Sequence, residues 1–517
     1  MNLSKYARIV SCLAAGGLLL VGLFLLLNET PQVARADPGD LFVKPDGSGT
    51  ACSQASPCAL QTALAQASDS DTIYVAGGTY TGTGAAVITV TRSITLYGGW
   101  DGAASGPVVR DPVAYPTLLD GEGARRVIHI SGDITPTLDG FTIARGNGTG
   151  LVADCYGTAG NPDGCGGGIF VSGAHPLIVN NVITNSVAAI TTAGYPTSTT
   201  GYGGGMYLRN ADRAVISGNV IISNVASTAN KGMGGGICLL GTGSGLVVQA
   251  NQVLSNVAAK FTGWGGGIAG GPNGALIQEN LVEGNRTSAA GGGYGAGLYQ
   301  WSGSAEYRDN IVRGNAGGSA VYLGYSRSRF EGNRVVDNAT RVGVYLTNGP
   351  GPTLVNNVVA RSASYLYSVS AYAYAGAPLN ATLLHNTLVG GGSGSGVYIE
   401  TGYVTLSLTN TIIVSHVWGI TNTVPASSAV FADHTLFWGN TQNGITGTRP
   451  IFADPRLAAD GYHLGPGSAA IDAGVDAGVT ADIDGDPRPI GAGYDIGADE
   501  IGQGYIIYLP LVKKNYP

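Results

Sequence analysis

Gly203-Gly204-Gly205-Met206-Tyr207-Leu208, followed by Asn219 and Asn224, decides the fold, because the chain keeps repeating it. Upstream stands Gly166-Gly167-Gly168-Ile169-Phe170-Val171, then Asn180 and Asn185. Downstream come Gly234-Gly235-Gly236-Ile237-Cys238-Leu239 with Asn251 and Asn256, then Gly265-Gly266-Gly267-Ile268 with Asn280 and Asn285. Gly295-Ala296-Gly297-Leu298-Tyr299 follows, with Asn310 and Asn315. Later units decay but keep the frame: Val321-Tyr322-Leu323 with Asn333 and Asn338, Val344-Tyr345-Leu346 with Asn357, then Asn386, Val397-Tyr398-Ile399 and Asn410.

A unit of roughly two dozen residues cannot bury an apolar face by itself, so neighbouring units must stack and share one core. Period-two alternation puts Met206 and Leu208 on one face and Tyr207 on the other. Asparagine tolerates left-handed backbone and bonds its own chain at turns. An asparagine recurring at one corner therefore predicts a column of stacked amides. Glycine triplets allow tight corners where coils approach closely. The predicted fold is all-β: a right-handed parallel β-helix, a solenoid with an N-terminal helical cap and a C-terminal non-repeating cap. A β-propeller is the rival, but its blades need four strands and about twice this period.

Composition agrees with many short strands and tight turns. There are 85 glycines, 11% charged residues and 44% hydrophobic residues. That is too apolar for disorder and too glycine-rich for a helical globule. Residues 1–36 read as a signal peptide: Lys5 and Arg8, the apolar run Leu13 to Leu27, and the cleavage site Ala34-Arg35-Ala36. An uncleaved signal anchor is the rival reading, since the run is nearly long enough to span a bilayer. No later run is long enough, so no integral membrane span is expected after cleavage, and a secreted or cell-surface location follows. Loss of Lys5, Arg8, Arg35 and Glu29 takes the net charge from −7 to −9. An acidic surface does not attract nucleic acid. In an oxidising compartment Cys52 with Cys58, and Cys155 with Cys165, are expected to form small disulfide staples, leaving Cys238 as apolar filler. The chain is expected to be a monomer.

The coils are not uniform. Loops run from Ser186 to Tyr202, Val225 to Met233, Val257 to Trp264 and Arg286 to Tyr294, and after Asn315 the loop nearly vanishes. Insertions at one corner project from one face, often the binding face. Residues 37–120 are expected to hold the cap and first coils, with a short helix over Ala59 to Ala67, a strand over Ile73 to Tyr80 and a strand pair over Val87 to Trp100. Residues 121–445 carry the repeats. Residues 446–502 are Asp- and Gly-rich, and 503–517 form a tail with the apolar run Tyr505 to Val512.

These repeats resemble the pectin-lyase-like, right-handed β-helix superfamily. Pro57-Cys58, the short helix and Val75-Ala76-Gly77-Gly78-Thr79-Tyr80 resemble the start of many such bacterial surface proteins. Ser468-Ala469-Ala470-Ile471-Asp472-Ala473-Gly474, Asp482-Ile483-Asp484-Gly485-Asp486-Pro487-Arg488-Pro489 and Tyr494-Asp495-Ile496-Gly497-Ala498-Asp499-Glu500 resemble the choice-of-anchor Q module that follows β-helices in secreted bacterial proteins. The resemblance implies a fold and an extracellular setting. It fixes no activity, because such folds host lyases, hydrolases and adhesins alike.

Three sets of residues could carry function. Phe170, Tyr207, Tyr299, Tyr322, Tyr345 and Tyr398 share one outward repeat position, interrupted by Cys238 and Ala269. An aromatic column suits the apolar faces of sugar rings, or stacks on itself to stabilise the sheet. Between Glu279 and Arg341 lie thirteen charged residues in 63. Arg308, Arg313, Glu279, Glu283, Asp309 and Glu331 are the candidate catalytic or glycan-contacting residues among them. A lyase needs a cation to neutralise a uronate and a base for its C5 proton; the structural alternative is a mutually paired charged face. Asp482, Asp484 and Asp486 place oxygen ligands at alternate positions, as calcium loops do, although Gly485 departs from the EF-hand pattern. The structural alternative is a turn-rich cap whose carboxylates accept backbone N–H groups. The expected cofactor is none, or Ca2+. His129, His175, His385, His416, His434 and His463 are scattered and read as surface or turn residues. The hydrolase motif set of this superfamily is not found in the sequence. The sequence reading is thus a non-catalytic β-helix that binds a polysaccharide or cell-envelope component. A polysaccharide lyase, or less favourably a glycoside hydrolase, acting on an acidic polysaccharide is the alternative.

Overall fold

The computed structural model describes residues 32–34, 39–151, 155, 163–190, 199–360, 362 and 366–501. The leader's apolar run and cleavage motif beyond Ala34, the tail 503–517 and positions 191–198 of the first loop lie outside these residues. Gln32–Ala34 forms a short strand antiparallel to Val108–Arg110.

Three long parallel sheets enclose one continuous core. One coil shows the construction. Ile268–Gly270 lies in the third sheet, Asn273–Gln278 in the first, Leu281–Glu283 in the second, and Arg286–Ser288 returns to the third. Each strand pairs in parallel with its counterpart in the next coil, with one bulge between Asn273 and Leu276. The inward positions stack in columns: Ile178, Ile216, Val248 and Ile277 from the first sheet, Ile183, Ile221, Val253 and Val282 from the second, and Met206, Ile237, Leu208 and Leu239 from the third, all buried. Burial of each such side chain contributes about 1.5–3 kcal/mol. A sheet whose inner face meets only other sheets favours this unbroken aliphatic stacking.

The corner between the first and second sheets is an amide ladder. Asn181, Asn219, Asn251, Asn280, Asn310, Asn333, Asn357 and Asn386 stack in it; the Asn181 Oδ1 accepts the Phe141 N–H, and each later Oδ1 accepts the backbone N–H and the Nδ2–H of the asparagine one coil earlier at 2.9–3.1 Å. A second ladder of Asn224, Asn256, Asn285, Asn315 and Asn338 runs along the next corner. The residue before each ladder amide takes the left-handed conformation, as Ala250, Glu279 and Asp309 do. The expected register is wrong by one residue in the first coil. Asn180 and Asn185 occupy the left-handed positions, and Asn181 and Ser186 take the ladder positions. Asn410 is also left-handed and bonds His385 and Val475 instead of a ladder neighbour.

Helix α1, Leu60–Gln66, buries Leu60 and Ala63 against the first coil. The expected strand over Ile73 to Tyr80 is two strands, Thr72–Ala76 and Gly78–Tyr80, which turn from the first sheet into the second at Gly77. Both expected disulfides form, and Cys238 is a buried free thiol. At the other end Ile445 packs against the core, and Thr448 and Ile451 bridge to the last coil. The chain then folds back along the flank. Leu464, Ala470 and Ile496 cover Ile412, Val414 and Leu436, and Ile483 with Ala498 cover Val336, Val358 and Ala360. The C-terminal segment is therefore a cap over the end and also a cover over the outer face of the second sheet. Among the described residues no helix is long and apolar enough to cross a membrane.

Candidate functional site

The outward position of the third sheet runs in register through His129, Phe170, Tyr207, Cys238, Ala269, Tyr299, Tyr322, Tyr345, Ser370 and Tyr398. The inserted loops decide which of these are reachable. Gly164–Cys165, Thr200–Tyr202, Lys231–Met233, Thr262–Trp264 and Gly292–Tyr294 pair into a five-stranded parallel ribbon. The ribbon lies close on the sheet: a Cβ on Gly201, Gly232 or Gly263 would sit 1.8, 1.8 and 1.6 Å from the carbonyl oxygens of Ala226, Ala258 and Thr287. These positions admit only glycine.

Under the ribbon, Phe170 and Tyr207 are 1% and 0% exposed. They stack at 5.5 Å, with the Arg126 guanidinium 4.3 Å from the Phe170 ring, in a cluster with the Cys155–Cys165 disulfide, Tyr202 and Met233. The expectation that these two rings meet sugars is corrected: the ribbon covers them.

Beyond Tyr294 the ribbon ends, and third-sheet strands run unbroken for nine residues, Ala316–Gly324 and Ala339–Thr347. Here the column is only half-buried and widens into a tyrosine-lined face. Tyr299 stacks on Tyr322 at 4.7 Å, and Tyr367 on Tyr398 at 4.0 Å. Tyr322 meets Tyr345 edge-on at 5.7 Å. Tyr294, 44% exposed, leans from the last ribbon strand to within 5.6 Å of Tyr322 and 5.5 Å of Tyr345. The Tyr345 hydroxyl donates to Glu400 at 2.9 Å, and those of Tyr325 and Tyr374 share a hydrogen bond at 2.7 Å along the edge. Burial pushes the Tyr299, Tyr322 and Tyr345 hydroxyls above their ordinary pKa, and Glu400 adds to the effect at Tyr345. All three stay protonated donors at neutral pH. Because the rings stack on one another along the axis, what most of them present outward is hydroxyls and ring edges rather than faces.

The charged set is divided between two other faces. Glu279 and Asp309 sit at the amide corner. Arg308 pairs with Glu306 at 2.8 Å and Glu331 at 3.7 Å on the first sheet, where Arg329 also grips Glu331 at 2.7 Å. Hydrogen bonding from Arg329 holds Glu331 below the usual carboxylate range. Burial raises Asp309, and the Glu331 charge raises it further. Glu283 and Arg313 pair at 3.0 Å on the second sheet. Both candidate arginines thus already face a glutamate.

Asp482, Asp484 and Asp486 do not converge on one point. Asp482 accepts the N–H groups of Asp484, Asp486 and Glu500. Asp484 bonds Arg334 at 2.8 Å and His463 at 2.5 Å, and Asp486 is exposed. Behind them Arg488 and Glu500 form a fully buried pair at 2.6 Å. Two of the histidines expected at surface or turn positions are buried: His385, at a left-handed corner, against Asn410, and His416 against Ser368.

Tyr294 was missed in the sequence, and a signal for it was present. Tyr202, Met233, Trp264 and Tyr294 each directly precede the first glycine of a triplet, and they pair in one register.

A family model described as "Right handed beta helix region" matches residues 126–335, and one described as "Periplasmic copper-binding protein (NosD)" matches 265–424. No curated protein sequence matches the chain. Solved structures similar to it include the pectate lyase Pel9A, with 13% identity and TM-score 0.35, covering 90% of this chain and 97% of that one. The periplasmic alginate epimerase AlgG shows 14% identity and TM-score 0.33, covering 68% of this chain and 77% of that one. The Dettilon tailspike protein shows 12% identity and TM-score 0.33, covering 76% and 68%. The family match and the coil geometry agree on a right-handed parallel β-helix. Residues 265–424 hold no cysteine or methionine and two histidines, His385 and His416, which are buried and separately bonded, so they do not fit a copper centre.

Proposed function

We propose that this is an extracytoplasmic, non-catalytic β-helix protein that binds polysaccharide or a cell-envelope glycan on the tyrosine face beyond the ribbon. One observation carries the reading: the outward column, buried at Phe170 and Tyr207, is half-exposed at Tyr299, Tyr322, Tyr345 and Tyr398, with Ser370 buried between the last two, and is joined there by Tyr294, Tyr325, Tyr374 and Glu400. Half-buried tyrosines suit glycans, because each supplies an apolar edge and a hydroxyl at little entropic cost. Two disulfides and the expected signal peptide support the extracytoplasmic setting. The choice-of-anchor Q likeness of residues 446–502 supports a cell-envelope address. The lyase alternative has less support, since Arg308 and Arg313 are each held by a glutamate.

Affinity electrophoresis through gels containing neutral or acidic polysaccharides tests this. Wild-type protein is expected to be retarded, Tyr294→Ala with Tyr345→Ala to lose at least tenfold in retention, and Arg308→Ala with Arg313→Ala to keep it. Equal retention of wild type and the tyrosine variant removes the face from consideration. Growth of unsaturated-uronate absorbance on incubation with polyuronate would establish the lyase reading instead.

A further inference from the structure

The cap holds a cluster that the tyrosine face does not use. His463 stands between two carboxylates: its Nδ1 meets Asp460, and its Nε2 lies 2.5 Å from Asp484 Oδ2. The other Asp484 oxygen is held by Arg334 at 2.8 Å, from the second sheet. Asp499 completes the group. It is 4% exposed, one oxygen accepts the Leu464 N–H at 2.7 Å, and the other receives no hydrogen bond. Ligand atoms of His463, Asp484 and Asp499 all lie within 4.8 Å of one another.

We infer that His463, Asp484 and Asp499 form a binding site for a divalent transition-metal ion such as Zn2+. One imidazole nitrogen and two carboxylate oxygens, with a position left for water, is a ligand set that zinc takes, at about 2.0–2.2 Å per bond. Calcium prefers six or more oxygens. The surrounding groups match what such a site needs. Asp460 on Nδ1 fixes the ring so that Nε2 faces the ion, the carboxylate–histidine–metal arrangement. Arg334 occupies only the Asp484 oxygen that points away. The ion takes the place of the Nε2 proton between His463 and Asp484, and that proton leaves to solvent. Asp499 is a buried carboxylate that accepts the Leu464 N–H, so an ion beside it would supply the positive partner that a buried carboxylate needs. His463, Asp484 and Asp499 come from three separate stretches of the folded-back segment, and Arg334 of the second sheet holds Asp484, so an ion would tie that segment together against the sheet.

The full chain, stripped with a chelator, is titrated with Zn2+ by calorimetry, with metal content read after gel filtration and the melting midpoint followed in parallel. One ion per chain and a raised midpoint reversed by EDTA are expected. His463→Gln and Asp484→Asn are each expected to weaken binding at least tenfold, whereas Asp486→Asn leaves it unchanged. A Co2+-loaded sample is expected to show a d–d absorption that His463→Gln abolishes. His463 is partly exposed, so that variant keeps the test open if Asp499→Asn fails to fold. No saturable binding, or binding equal in wild type and His463→Gln, overturns the site.

Discussion

The two halves of the third sheet share one strand register and differ in what lies on top. In the first half the ribbon seals Phe170, Tyr207 and Cys238 into a second, outer core. In the second half the same column carries Tyr299, Tyr322, Tyr345 and Tyr398 half in water. The rings are alike, so aromatic character alone does not make a binding surface. The insertion decides: where a loop of about nine residues doubles back, the column becomes core, and where the corner is tight, it becomes surface.

The largest way to break that difference is to lift the ribbon. Gly232→Val places a side chain against the Ala258 carbonyl, where even a Cβ would be 1.8 Å away. Loss of about 4 kcal/mol is expected from the clash and the uncovered rings. The readout is specific to the covered half: Cys238, buried and with its thiol pushed up by burial, is expected to become reactive towards a disulfide reagent in the variant. If Cys238 stays protected, the ribbon is not what covers the column.

Acid separates the halves next. The two buried histidines, His385 and His416, both lie in the ribbon-free half. Burial lowers them to about 3 and about 4 from 6.5, and the Arg488 charge lowers His385 further. A histidine depressed in the fold takes its proton first in the unfolded chain, so its effect is nil above pH 6.5 and destabilising below it. Stability is expected to fall between pH 6.5 and about 4, by about 2–3 kcal/mol from His416 alone. Below about 4 the His416 loss levels off. Hydrogen exchange is expected to open coils 366–444 before 164–300 on acidification, and His416→Gln to flatten the slope. Simultaneous opening of both halves would count against this.

How much of this was legible follows from what each part depends on. The coils, the disulfides and the outward aromatic position depend on period and spacing, which a single sequence displays. The ladder register does not. Asparagine suits both the left-handed corner and the amide position beside it, so Asn180 and Asn181 look alike until the next coil shows that Asn219 pairs with Asn181. The ribbon was harder still: Thr-Gly-Tyr, Lys-Gly-Met and Thr-Gly-Trp carry little strand signal, and their partners are the same loops one coil away. The fold-back of the C-terminal segment left no periodic trace at all, because its carboxylates bond local backbone and its apolar residues meet a sheet face far away in sequence. The ladder runs beneath both halves and so offers a control. Asn219→Ala is expected to cost about 2 kcal/mol, because it strands the buried Asn181 donors and, as acceptors, the Ile178 carbonyl and the Asn251 amide oxygen, whereas Asn180→Ala, off the ladder, costs well under half of that in the same urea titration. Equal costs would mean that the register is wrong.

The smallest expected effect sharpens the comparison most. If stacked tyrosines present edges and hydroxyls, then recognition on the open half depends on oxygen atoms more than on ring area. Tyr345→Phe keeps the ring, its contacts with Tyr294 and Tyr322 and its place in the sheet, and removes only the hydroxyl that bonds Glu400. That hydrogen bond is exposed, so stability is expected to change by less than about 0.5 kcal/mol. Glycan retention is expected to fall about threefold, the effect of one hydrogen bond of under 1 kcal/mol. The matching change in the covered half, Tyr207→Phe, is expected to leave retention untouched, because that hydroxyl never reaches water. If Tyr345→Phe binds as wild type does while Tyr345→Ala does not, the ring surface carries recognition, and the open column works by contact area after all.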